Sequence, residues 1–101
     1  MRRVKITAVR KADYPDLQAR YENPIEHACD VEEGAVYWSE NAQIPEGFCA
    51  SAWENLSPYV LALSCGGTDL FDGWMKDPRS AMISCNDGFR PVSFYLEAQD
   101  E

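Results

Sequence analysis

Val4, Ile6 and Ala8 alternate with Lys5, Thr7 and Val9, a period-two pattern with one apolar face that predicts a first strand. Asp13 precedes Pro15 and Asp16, which predicts an N-cap with an acidic first turn. A short helix over about 14–21 then places Leu17 and Tyr21 on one face by their i, i+4 spacing. Asn23-Pro24 ends it, because the residue before proline is pushed out of the α region. Residues 24–34 read as a connecting segment, and Ala35-Val36-Tyr37-Trp38 as a short strand of β-branched and aromatic side chains. A loop follows over 41–47.

The strongest helical signal comes next. Phe48, Ala52, Leu56, Tyr59, Val60 and Leu63 recur at spacings of three and four. Pro58 lacks an amide donor and crowds the preceding turn, so the run predicts a kinked helix over about 49–64 or two short helices abutting at Ser57. Gly66-Gly67 closes it. Residues 66–79 form a long loop whose bulky Leu70, Phe71 and Trp74 are expected to fold over the core or cover a pocket. Ala81, Ile83 and Cys85 alternate with polar neighbours, Asn86-Asp87-Gly88 turns the chain, and Val92, Phe94 and Leu96 alternate again, which predicts a closing hairpin. The tail from Ala98 is expected to fray. The order β-α-β-α-β-β predicts a single α+β domain over residues 1–101, with a mainly antiparallel sheet and helices packed on one face. The last strand is placed centrally, between the first and the preceding one.

Composition adds limits. A chain of 101 residues with 46% hydrophobic content and three Trp buries roughly two thirds of its unfolded surface, enough for a core without crosslinks. No apolar run approaches the ~18–20 residues that cross a bilayer, and the N-terminus lacks a signal-peptide core. A cytoplasmic protein is the expectation. Charge changes the picture more. The formal net charge is −8. Residues 1–11 carry five basic side chains and no acid, whereas residues 21–75 carry ten acids and no Lys or Arg. Phosphate backbones and anionic membranes are repelled by such a surface, so neither nucleic acid nor membrane is an expected partner. Solubility and internal pairing account for the split; attraction of a basic partner or of a second copy is the sharper alternative.

Candidate chemistry is sparse. No phosphate loop, dinucleotide fingerprint, hydrolase elbow or metalloprotease motif occurs. Cys29, Cys49, Cys65 and Cys85 contain no C-x-x-C pair, so free thiols are expected in a reducing compartment. Cys29, Cys49 and Cys85 are the candidate metal or redox set, with His27 as a further ligand or base; soft thiolates suit zinc, copper(I) or iron–sulfur. The opposing reading makes each thiol a small buried hydrophobe. In Cys85-Asn86-Asp87-Gly88-Phe89-Arg90-Pro91, a thiol, the Asp87 carboxylate and the Arg90 guanidinium form a possible polar site, although the same residues are ordinary hairpin vocabulary. Trp53 and Trp74 are candidate ligand-stacking aromatics that serve equally as core. Asp69, Asp72, Asp77 and Asp87 are a candidate hard-cation set but lack calcium-loop spacing, which favours a solvated loop.

Two segments, Pro45-Glu46-Gly47-Phe48-Cys49-Ala50-Ser51-Ala52-Trp53 and Cys85-Asn86-Asp87-Gly88-Phe89-Arg90-Pro91-Val92-Ser93-Phe94, resemble a family of small uncharacterised prokaryotic proteins built on P-E-G-F-C-x-x-A-W and C-x-D-G-x-R-P-V-x-F. The resemblance implies a stand-alone cytoplasmic domain and sets Cys29, Cys49, Cys85, Asp87, Arg90 and Trp53 at recurring positions. It implies no activity, substrate or cofactor. The expected function is a small binding or accessory module, self-associating as a homodimer, with a protein or small-molecule partner. The alternative is a thiol-centred metal-binding or redox protein using Cys29, Cys49 and Cys85.

Overall fold

A computed structural model describes residues 1–26 and 29–100. His27 therefore lies outside the described residues. Six elements follow in the expected order: β1 (Arg3–Lys11), α1 (Pro15–Tyr21), β2 (Val36–Ser39), α2 (Ala50–Ser64), β3 (Ser80–Ser84) and β4 (Val92–Gln99). The four strands form one antiparallel sheet in the order β2-β1-β4-β3, which puts β4 between β1 and β3 as its alternation suggested. Among the described residues no helix is long and apolar enough to cross a membrane.

Register explains the core. Ile6 pairs with Leu96, Ala8 with Phe94, and Ala81 with Leu96, so the apolar side chains of three strands share one face. The buried apolar side chains of α2 are Ala52, Leu56, Val60 and Leu63, spaced by four, four and three. They cover that face, with Val4, Ile6, Phe94 and Leu96 fully buried beneath. A β-bulge falls between Ala8 and Arg10. The extra residue reverses the alternation, so Arg10 opposes Ser93 on the other face and Lys11 opposes Val92 on the helix side. There the Lys11 ammonium donates to the Cys29 carbonyl at 3.3 Å, and its backbone N–H donates to the Glu33 carboxylate at 2.8 Å.

Several expectations change. Of the two forms expected for the second helix, the structure has the single helix, Ala50–Ser64, running through Pro58. Pro58 and Glu54, whose carbonyl is left without a donor, both lie on the exposed side, where water can hydrate that carbonyl. The first helix buries no residue, and Tyr21 is 67% exposed, so its Leu17/Tyr21 face does not pack on the sheet. Asp13 is not its cap; the Asp13 carboxylate accepts from Gln18 Nε2 at 2.6 Å. The tail does not fray at Ala98. Gln99 pairs with Arg3, and the Arg79 guanidinium bonds Asp100 at 2.8 Å. Within the long loop, Leu70 and Phe71 pack on the core but Trp74 is 84% exposed.

Candidate functional site

The strand-to-helix junction and the closing hairpin meet over one end of the sheet. A cavity of about 230 Å³ lies there, and Cys29, Cys49 and Cys85 all line it, together with Asp87 and Arg90. Three of its walls come from distant parts of the chain: the segment after α1, the start of α2 and the β3–β4 turn. Val31, Ala52, Val92 and Phe94 supply its apolar floor, and Asp30, Ser51 and Asn86 its remaining polar rim.

Cys49 is the N-cap of α2. The first amides of a helix lack intrahelical acceptors and concentrate positive potential, so an anion is stabilised there. The Ser51 hydroxyl lies 3.3 Å from Cys49 Sγ. That hydroxyl is the largest influence drawing the Cys49 thiol below the ordinary range. The Ala52 and Ser51 backbone N–H groups act the same way, whereas burial and the nearby Asp30 carboxylate oppose it. The thiol is therefore more fully ionised near neutrality than an ordinary cysteine.

Cys85 follows β3 directly. Its sulfur accepts the Val92 N–H at 3.2 Å, while its own N–H donates to the Val92 carbonyl at 3.0 Å. The sulfur thus fills a place in the hairpin ladder. Asp87 shapes the turn, its Oδ1 accepting the Phe89 N–H at 2.8 Å and the Arg90 N–H at 3.2 Å. Arg90 closes the cavity from the α1 side. Its guanidinium donates to both Glu22 carboxylate oxygens, at 3.1 and 2.9 Å, and to Gln18 Oε1 at 2.8 Å. Bonding to Glu22 pushes its pKa further up, against the effect of burial, and the charges of Glu22, Asp13 and Asp87 add to the rise.

This pairing is what attaches α1. A seven-residue helix without buried side chains is unstable alone. The Tyr14 N–H and Gln18 Nε2 also tie it to the hairpin, both donating to the Phe89 carbonyl, at 2.9 and 3.3 Å. Arg90→Leu is therefore expected to raise amide exchange across α1 to nearly that of an unstructured peptide, with α2 and β4 still protected. Unchanged α1 protection would show that the Glu22–Arg90 contact does not hold this helix.

The remaining sequence candidates lie elsewhere. Trp53 packs edge-on against Phe48, with centroids 6.0 Å apart, and is not on the cavity wall. Trp74 borders a separate cleft with Phe71, Met75, Met82 and Ile83 beside β3. Cys65 is exposed at the far end of α2. Among the described residues no three His, Cys, Asp or Glu side chains are grouped to hold a metal ion, so a shared metal on Cys29, Cys49 and Cys85 is not carried forward. Ser51, Asp30, Gln18 and Glu22 were missed as site residues. For Ser51 a signal existed: a helix beginning at Cys49 sets a hydroxyl two positions inside its first turn.

Comparison with known families, with curated proteins and with solved structures finds no match to this chain. The resemblance carried by its two cysteine-containing segments rests on those segments alone.

Proposed function

We propose that this protein acts through a reactive thiol, with Cys49 as the nucleophile in a small cavity that also presents Cys29 and Cys85. The observation that carries this reading is the position of Cys49 at the start of α2, beside the Ser51 hydroxyl and on the cavity wall. A thiolate, not a thiol, attacks, so a lowered pKa makes this sulfur the reactive one at neutral pH. The chemistry it suits is exchange with a small disulfide. The Cys49 sulfur attacks one sulfur, the old S–S bond breaks, a mixed disulfide forms, and the departing thiolate takes a proton from water. A second thiol from solution restores Cys49. Four free cysteines support a reducing, cytoplasmic setting for such chemistry. Residue-resolved alkylation with iodoacetamide tests it. Cys49 is expected to be modified first at pH 7, well ahead of the exposed Cys65. Equal rates at the two positions would remove the reading.

A second reading rests on a different surface. Among the described residues no helix packs on the sheet face opposite α2, where Val9, Val36, Trp38 and Met82 are all exposed. We propose that a second copy of the chain covers it, as exposed apolar faces commonly mark contacts. Light scattering is expected to give a mass rising toward a dimer with concentration, and Trp38→Lys to return it to the monomer. A strict monomer at high concentration would end this proposal.

A further inference from the structure

Cys49 does not stand alone at its cavity. Cys29 and Cys85 line the same space of about 230 Å³, and all three are partly buried. The exchange proposed above leaves Cys49 in a mixed disulfide. A thiol on the same wall then competes with any thiol from solution, because tethering gives it an effective concentration on the order of millimolar. The two neighbours differ in what holds them.

Cys85 is already engaged. Its sulfur accepts the Val92 N–H at 3.2 Å, and its own N–H donates to the Val92 carbonyl at 3.0 Å. A disulfide needs its two Cα atoms within about 7 Å of each other and its side chains correctly directed. Drawing the Cys85 sulfur across to Cys49 would take the acceptor from the Val92 N–H and pull on the β3–β4 pairing. Cys29 carries no such load. It lies between α1 and β2, outside helix and strand. The Lys11 ammonium holds its carbonyl at 3.3 Å, a contact that a long, flexible side chain keeps as the backbone shifts. The next residue, Asp30, is near enough to Cys49 for its carboxylate to oppose ionisation of that thiol, so the Cys29 segment passes beside the Cys49 sulfur. Cys49 itself is extended, with φ −64° and ψ 120°, just ahead of the first turn of α2. Neither member of this pair is locked inside a regular element.

We infer that Cys29 is the resolving thiol, which attacks the Cys49 mixed disulfide and forms an internal Cys29–Cys49 bond. This inference rests on the nucleophilic role of Cys49 proposed above and adds the second half of its reaction. The Cys49 thiolate attacks a small disulfide R–S–S–R, whose S–S bond breaks to give the Cys49 mixed disulfide and one R–S⁻. The Cys29 sulfur then attacks the Cys49 sulfur, the bond to R–S breaks, and a second R–S⁻ leaves. The protons given up by Cys49 and Cys29 end on the two departing thiolates by way of water. The protein dithiol is oxidised by two electrons, and the small disulfide is reduced to two thiols. Thiol from solution reopens the internal bond by the same exchange in reverse. The cavity thus works as a two-electron carrier between small disulfides and thiols.

The test mixes the full, reduced chain with bis(2-hydroxyethyl) disulfide at pH 7 and stops samples with acid at intervals. Mass spectrometry separates the two products. The mixed disulfide gains one 2-mercaptoethanol unit, whereas the internal bond makes the chain lighter by the two thiol hydrogens. Cleavage after glutamate then locates each bond, because Glu32, Glu33, Glu40 and Glu46 separate Cys29 from Cys49, and Glu54 separates Cys49 from Cys65 and Cys85. A transient adduct at Cys49 is expected, replaced by a Cys29–Cys49 bond. In Cys29→Ser the Cys49 adduct is expected to accumulate and to last about ten-fold longer or more. Cys85→Ser, whose hydroxyl oxygen can accept the Val92 N–H in place of sulfur, is expected to close the Cys29–Cys49 bond as the unaltered protein does. A Cys49–Cys85 bond would overturn the assignment of Cys29. So would a Cys49 adduct in the unaltered protein as long-lived as in Cys29→Ser. Either result would leave Cys49 as the nucleophile. If instead the adduct forms at Cys65 as fast as at Cys49, the thiol reading itself falls and the resolving role with it.

Discussion

Phe94→Ala is expected to destabilise the protein by about 3–5 kcal/mol. Phe94 sits in β4, a central strand, and is fully buried. It pairs with Ala8 on one side and Ile83 on the other, and the Phe48 ring packs 5.3 Å from its own. Ala8, its partner on β1, has no longer side chain to swing into the space, so collapse on that side is limited. The void would also open into the cysteine-lined cavity, whose floor Phe94 helps to form. A domain of this size has a total stability of about 5–15 kcal/mol, so the loss is a large share of it. Urea unfolding measures the change, with a lower midpoint and a similar slope expected. Tyr95→Ala, one position along on the uncovered face, is expected to cost about 1 kcal/mol. Equal costs at the two positions would contradict the assignment of Phe94 to the covered face.

The second large effect is chemical. Cys49→Ser is expected to abolish the fast phase of alkylation at pH 7, leaving only the slower thiols, a fall of about ten-fold or more in the initial rate. Ser51→Ala separates the sulfur from its surroundings. The hydroxyl favours the charged form, so its loss raises the Cys49 pKa toward the ordinary value. The pH–rate profile should then move to higher pH, with a slower rate near neutrality and an unchanged plateau in alkali. The shift is partial, since the Ala52 and Ser51 backbone N–H groups still stabilise the thiolate. Asp30→Asn acts in the opposite sense: removing a neighbouring negative charge moves the profile to lower pH. A Ser51→Ala profile superimposable on that of the unaltered protein would show that the hydroxyl does not tune this thiol.

Much of the architecture was legible along the chain because local periodicity and burial agree. The alternation of Val92, Phe94 and Leu96 marks β4, and the three-and-four spacing of Ala52, Leu56, Val60 and Leu63 marks the covered face of α2. Pro58 left two forms open along the chain, one helix or two, and packing of that face carries a single helix through the proline. Leu17 and Tyr21 misled. Their spacing is helical, but α1 is held by Arg90, Gln18 and Glu22 rather than by an apolar stripe. The bulge at β1 left no local signal, since its extra residue is defined only by the partner strand.

The amino-acid sequence by itself determined the class of fold, the element order and the apolar face of each strand and of α2, because these follow from side-chain period and from where glycine and proline interrupt it. It also supplied the list of thiols and the acidic balance. Only the tertiary structure decided that Cys29, Cys49 and Cys85 share one cavity while Cys65, Trp53 and Trp74 stand apart, and that Arg90 spends its donors on Glu22. Contacts between residues 20 to 70 positions apart depend on strand register and helix docking, which set distances in space that spacing along a chain does not encode.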